Sequence, residues 1–293
     1  MMRRSVLMPM LGVLAACVMP LAASAGSGGA SAPNRSAVAS SSSFTLGGVK
    51  CSLIGVPAAE TQLPVGVGTC PGVRPGGELR TELGQCTLNF LFETPDHERY
   101  IGTAGHCILG EGSGLAGDGP GEKIWPKGQG PVAKDPDGKR FGEFAYAVLK
   151  DPKDFALIRL DPGIEASPEM CNYGGPSGVN DDLSGDPTVL HYFGNGVGIG
   201  TALPARSAVA MGLPNADHVY AAGLALPGDS GSAVISGDGR AVGVLVTVGI
   251  HGFGIDENGG IDFGTVGITR IVPQMNRAAE ALGIQLKMVT VSK

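Results

Sequence analysis

Ser230 lies in Gly228-Asp229-Ser230-Gly231-Ser232, between an apolar stretch ending at Pro227 and the β-branched run Val242 to Val248. Glycines on both sides let the backbone turn tightly and come close to a carbonyl, because they carry no Cβ. The hydroxyl is pushed outward, and the backbone N–H groups of Gly228 and Ser230 can point at the oxygen of that carbonyl. A serine hydroxyl is a weak nucleophile at neutral pH and needs a base within hydrogen-bond reach. Histidine is the natural base, with an ordinary pKa of about 6.5. The chain has His97, His106, His191, His218 and His251. His106 stands out because it follows the small residues Thr103-Ala104-Gly105, which leave room for its ring, and precedes Cys107, which can pin its loop. A base of this kind is oriented by an acid that accepts from the imidazole N–H. Asp154 opens the run Asp154 to Leu160, whose alternate residues read as core-facing, so it can point inward from the mouth of a strand. Asp151 competes locally, but just before Pro152 it reads as a turn residue.

Thr103-Ala104-Gly105-His106-Cys107, Asp154 to Leu160 and Gly228 to Ser232 follow one another in the order His, Asp, Ser. In those motifs and that order, over residues 86–285, the chain resembles the chymotrypsin-like (trypsin-like) serine proteases of the secreted bacterial type. The resemblance implies an all-β fold of two six-stranded antiparallel β-barrels with a C-terminal α-helix and an active site between the barrels. It implies Ser230 as nucleophile, His106 as base, Asp154 as orienting acid, and the Gly228 and Ser230 N–H groups as an oxyanion hole for peptide hydrolysis. It implies a Cys86–Cys107 bridge closing the His106 loop. Cys171 can then pair with Cys70, stapling an N-terminal arm and leaving Cys51 odd; Cys51–Cys70 with Cys171 free stays open. By the same resemblance Leu224 floors the specificity pocket and Val246, Thr247 and Val248 form its far wall. With no acid there, a buried guanidinium lacks a partner, so a small or medium apolar side chain is expected before the cut. Ser232 departs from the commoner second glycine. Asp229 needs an ion partner, and no activation sequence of the Arg-Ile-Val-Gly-Gly kind precedes Cys86, which makes an internal arginine, Arg206, the candidate. A competing reading from another class is a protease-like binding or adhesion protein, its pocket filled by Val246 to Val248.

The elements that must hold these residues are short strands. Glycine at 49 and proline at 21 of 293 residues favour many strands joined by tight turns, and 43% hydrophobic residues suffice for a sizeable core. Regular structure is expected from Cys86, with strands at 86–93, 99–103, 144–150, 155–160, 188–193, 205–211, 219–224, 232–235, 241–247 and 262–268. Residues 161–187 read as the connection between two halves. Apolar residues at 271, 275, 278 or 279 and 282 predict one closing helix over 269–282, capped by Thr269, with Pro273 in its first turn and Gly283 ending it.

Residues 1–25 read as a signal peptide, with Arg3 and Arg4, an apolar stretch from Val6 to Ala22, and Ala23-Ser24-Ala25 as the cleavage site. The expectation is secretion, with a lipoprotein acylated at Cys17 in Leu14-Ala15-Ala16-Cys17 as the alternative. Residues 26–43 read as a flexible low-complexity linker, 44–85 as an irregular arm and 86–293 as the double-barrel domain. Losing Arg3 and Arg4 takes the net charge from −6 to −8, and an acidic chain without a basic cluster is a poor nucleic-acid binder. The expected partners are protein or peptide substrates, with no nucleic acid and no membrane span, and the expected state is a monomer. No cofactor or metal is expected. The cysteine spacings fit no zinc pattern, and Asp256 to Asp262, though rich in oxygen ligands, lacks EF-hand spacing and reads as a polar hairpin turn.

Overall fold

Short apolar and β-branched runs, broken every few residues by glycine, proline or paired charges, give strands throughout. The computed structural model describes residues 42–46, 49–53, 72–110, 121–150, 152–170, 174–180, 189–196, 205–211, 216–248, 254–255, 261–262 and 265–291. For 42–46, 49–53, 247–248, 254–255, 261–262 and 265 the description is of the backbone. In chain order the elements begin with β1 (Ser42–Leu46), β2 (Val49–Leu53), β3 (Glu78–Thr81), β4 (Gly84–Thr87), β5 (Leu91–Glu93), β6 (Arg99–Thr103) and the one-turn helix α1 (His106–Leu109). There follow β7 (Gly121–Ile124), β8 (Val132–Lys134), β9 (Arg140–Lys150), β10 (Lys153–Leu160), β11 (Val189–Phe193), β12 (Ala205–Met211) and β13 (His218–Gly223). The last are β14 (Ala233–Ser236), β15 (Ala241–Val248), β16 (Gly254–Ile255), β17 (Ile261–Asp262), β18 (Thr265–Arg270), helix α2 (Ile271–Leu282) and β19 (Lys287–Met288).

The second half is a closed six-stranded barrel in the order β11-β12-β13-β18-β15-β14. The first half is a nine-stranded sheet, ordered β19-β5-β6-β10-β9-β8-β3-β4 with β7 beside β9. This is the expected all-β, two-barrel plan, with the first half not closed as a ladder of six. One edge strand of that sheet comes from the far end of the chain, since Lys287 and Met288 of β19 pair with Glu93 and Phe92 of β5. Phe90, Phe92, Phe144, Phe155 and Ile158 fill the first core, with Phe92 edge-on to Phe155 at 6.3 Å. Leu190, Tyr192, Val219, Leu245 and Ile268 fill the second.

Local expectations change as well. Regular structure starts before Cys86, because β3 pairs with both β4 and β8. Its sequence, Glu78-Leu79-Arg80-Thr81, hides this: Leu79 is its one aliphatic residue, and Glu78 is buried beside Leu79 through an ion pair with Arg80. Thr269 does not cap the helix. It remains in β18, paired with His218 and Val244, and the helix begins after Arg270 without a side-chain cap. The Thr269 hydroxyl instead accepts from Gln274 Nε2 at 2.5 Å. Gly283 ends the helix in the left-handed conformation, as expected. The helix packs on β9 and β10 of the first sheet and on β15 of the second barrel. β16 and β17 pair across residues 256–260, in keeping with a hairpin there.

The segment leading into β3 is fastened to the connection between the halves. Val73 N–H donates to Glu165 O at 2.8 Å, and Ser167 N–H to Val73 O at 2.9 Å. The expected Cys70–Cys171 staple lies outside the described residues, as do the signal peptide and residues 26–41 of the expected linker. β1, which starts in the last two residues of the expected linker, and β2 form an antiparallel hairpin where an irregular arm was expected.

His191, on β11, is buried in the wall of the second barrel. Its Nδ1 is 2.8 Å from Ser207 Oγ, and its Nε2 has no hydrogen-bond partner among the described residues. Burial pulls its pKa from 6.5 down to about 4. Between those values the unfolded chain binds a proton that the folded chain refuses, so stability falls as the pH drops from 6.5 towards 4. Urea unfolding across that window is expected to show a shallower loss for His191→Gln than for the native chain; equal slopes would clear His191 as the source.

Candidate active site

His106 is placed by the register of two strands. Thr103 at the end of β6 pairs with Ala156 of β10. Three residues beyond Thr103 is His106, and two residues before Ala156 is Asp154, so the ladder brings the pair together. Asp154 uses both carboxylate oxygens on this one residue: Oδ1 accepts the His106 backbone N–H at 3.0 Å, and Oδ2 lies 2.7 Å from Nδ1. A buried carboxylate accepts, so the ring proton sits on Nδ1 and Nε2 is the ring's basic nitrogen. The disulfide Cys86–Cys107 ties the next residue to β4, as the resemblance implied. Cys86, His106 and Cys107 put potential ligand atoms within 4.8 Å of one another, but the two sulfurs are bonded to each other and offer no thiolate to a metal.

Ser230 arrives from the second barrel, on the turn between β13 and β14. Gly228 and Gly231 have φ values of +100° and +92°, conformations in which side chains are strained. At Gly231 the need is also spatial. A Cβ there would lie 2.2 Å from Thr87 O, 2.4 Å from Thr103 Oγ1 and 3.0 Å from Ala104 N. The loop therefore sits directly on the strand ends that lead into His106. Around the turn, Asp229 N–H donates to Leu226 O at 2.9 Å, Gly231 N–H to Leu245 O at 2.7 Å and Ser232 N–H to Asp229 O at 3.0 Å. The N–H groups of Gly228 and Ser230 donate to no backbone acceptor among the described residues. Ser232, the departure from the commoner glycine, donates its hydroxyl to Asp229 O at 2.6 Å. That carbonyl belongs to the same peptide as the Ser230 N–H, so the second bond helps orient it.

No family model matches the sequence, and no curated protein matches it. Among solved structures it is similar to Thermobifida fusca Protease A, at 17% identity and a TM-score of 0.50, over 74% of this chain and 98% of that one. It is similar in the same way to a glutamic acid specific serine protease that utilizes a histidine triad in substrate binding, at 16% identity and a TM-score of 0.50, over 74% of this chain and 100% of the other. The fold is that of the chymotrypsin-like serine proteases.

In this chymotrypsin-like fold Asp229 is fully buried and its partner is Arg206, reached from β12. Arg206 Nη1 is 2.5 Å from Asp229 Oδ2, and Nη2 bonds Oδ1. The backbone N–H groups of Gly196 and Leu226 add bonds of 2.7 Å to the two oxygens. The guanidinium also stands 5.4 Å over the ring of Tyr192, its ladder partner on β11. An internal arginine does hold Asp229, as the lack of an activation sequence suggested.

Of the residues expected to line a specificity pocket, Leu224 is exposed at its side chain, and its carbonyl accepts the Tyr192 hydroxyl. Val246 is buried, at the register shift of β15 against β18. Thr247 and Val248 pair with Gly267 and Val266, and their side chains lie outside the described residues. Sequence reasoning missed Thr87 and Asn195. Thr87 follows Cys86 in a strand and reads as an ordinary β-former, and Asn195 reads as a turn residue; nothing in their spacing marks them as partners.

Arg206→Met leaves the fully buried Asp229 carboxylate without its cation. Breaking a buried pair on one side costs about 3–5 kcal/mol. Urea denaturation is expected to show a loss of that order, and a change within the scatter of surface substitutions would mean that the two N–H donors suffice for Asp229.

Proposed function

We propose that the chain is a secreted serine endopeptidase working through Ser230, His106 and Asp154. The observation that carries this is the His106–Asp154 pair, whose 2.7 Å contact at Nδ1 makes Nε2 the basic nitrogen, on a residue two positions after Ala104, against which the Ser230 loop packs at Gly231. Ser230 Oγ attacks the peptide carbonyl and its proton passes to His106 Nε2. Asp154, already bonded to Nδ1, stabilises the imidazolium that forms. The oxyanion is met by the N–H groups of Gly228 and Ser230, which donate to no backbone acceptor among the described residues. The amine leaves with the proton from His106, and water, activated by the same ring, hydrolyses the acyl-enzyme.

The preference before the cut is proposed to be small or medium and apolar. The similar protease specific for glutamic acid utilizes a histidine triad, whereas the pocket residues assigned in this chain are Leu224, Val246, Thr247 and Val248, none of them charged or a histidine. Secretion is supported by the Cys86–Cys107 bridge, which suits an oxidising compartment, and by the signal-peptide pattern of residues 1–25.

A fluorophosphonate probe is expected to label Ser230, with labelling lost in Ser230→Ala and His106→Ala; kcat for a peptide substrate should fall about a millionfold in either variant. A folded protein that takes no label favours the binding or adhesion reading. Cut-site mapping on a peptide library is expected to show Ala, Val or Leu before the cleaved bond; a dominant Glu, Arg or Lys would overturn the apolar pocket.

A further inference from the structure

The loop that carries Ser230 is held from the other half of the molecule by one side chain. Thr87 Oγ1 donates to Gly228 O at 2.7 Å. It accepts the backbone N–H of Asn195 at 3.0 Å and the Asn195 side-chain amide at 3.3 Å. The other proton of that amide reaches Gly76 O at 2.8 Å. A hydroxyl has one proton and two lone pairs, and here all three are used. Since Asn195 can only donate to it and the Gly228 carbonyl can only accept, the direction of every bond is determined.

The backbone of Thr87 is engaged as well. Its N–H donates to Ser230 O at 2.8 Å, and its carbonyl accepts the Thr103 hydroxyl at 2.9 Å. Thr87 and Thr103 are fully buried and Asn195 nearly so. Two carbonyls of the Ser230 loop, those of Gly228 and Ser230, are thus anchored to a residue whose own carbonyl is anchored three positions before His106. The clamp also reaches Asn195, whose carbonyl O would lie 2.9 Å from a Cβ at Gly228. The loops at 194–196 and 227–229 therefore lie back to back, with the Thr87 hydroxyl bonded to both.

We propose that Thr87 is a positioning residue for the oxyanion hole: from the opposite half of the fold its hydroxyl holds the Gly228–Asp229 peptide and its N–H holds the Ser230–Gly231 peptide, the two that flank the Asp229–Ser230 peptide carrying the Ser230 N–H. The proposal rests on the serine protease reading above. Interactions that point at the developing charge act on the transition state more than on the bound substrate. Loosening them should lower kcat and leave KM almost unchanged.

The test compares Thr87→Val, which keeps the shape and removes the hydroxyl, with Thr87→Ser, which restores it. Thr87→Val is expected to lower kcat and the rate of fluorophosphonate labelling by about 10- to 100-fold, less than deletion of an oxyanion donor outright. KM should move less than about twofold, since ground-state binding is not the interaction removed. Thr87→Ser should recover most of the rate. Hydrogen exchange at the Asp229 and Gly231 amides, which are bonded to Leu226 O and Leu245 O, should quicken in Thr87→Val and not in Thr87→Ser. If the valine variant does not fold, Thr87→Ala removes the same hydroxyl without setting a methyl group against Gly228 O. A native chain that takes no label overturns the protease reading, and the clamp's catalytic role with it. A native chain that labels, beside a Thr87→Val variant with equal kcat or with only KM raised, overturns the clamp alone.

Discussion

Everything else in the site depends on how closely the Ser230 loop approaches the first sheet. At Gly231 the backbone runs against Thr87 O, the Thr103 hydroxyl and Ala104 N, with no room for a Cβ. That contact decides where a hydroxyl from the second barrel stands relative to a histidine from the first. It exists because β4 and β6 both end there, β4 tied through Cys86–Cys107 to the His106 loop and β6 running into it. The strain of two positive-φ residues is tolerable at glycine and would cost a substituted chain about 1–3 kcal/mol at each position.

The same loop buries a full charge. Asp229 is inaccessible, and its two oxygens meet Arg206 and two backbone N–H groups. Buried pairs of this kind often contribute little net stability against an apolar replacement, because desolvating both ions offsets most of their attraction. Their effect here is geometric. A carboxylate with four directed bonds can occupy only one position, and the residues on either side of it are Gly228 and Ser230.

Much of the architecture is legible from sequence, and the misses have a common cause. β10, β12 and β15 show apolar or β-branched runs long enough to read as strands, and their observed limits lie within two residues of expectation. β3, β8 and β19 have two to four residues each and are strands only because neighbours pair with them. A segment of that length carries no periodicity, so its conformation is decided by tertiary contact. Thr269 failed as a helix cap for a related reason: a good capping residue was already committed to the β18 ladder.

For the site the division is equally physical. Residue types and chain order alone determined which serine, histidine and aspartate to consider, because a weak nucleophile, a base titrating near neutrality and a carboxylate are each recognisable as chemistry. The family resemblance also pointed to Arg206, since the acid before the nucleophile needs an ion partner and no activation sequence precedes Cys86. Only the tertiary structure decided that Asp154 bonds both the ring and the backbone of His106, that Ser232 bonds Asp229 O, and that Thr87 spans the two halves. Those bonds join residues up to 141 positions apart in the chain. Such a partner is chosen by how strands pair and barrels meet, and local sequence carries no record of it.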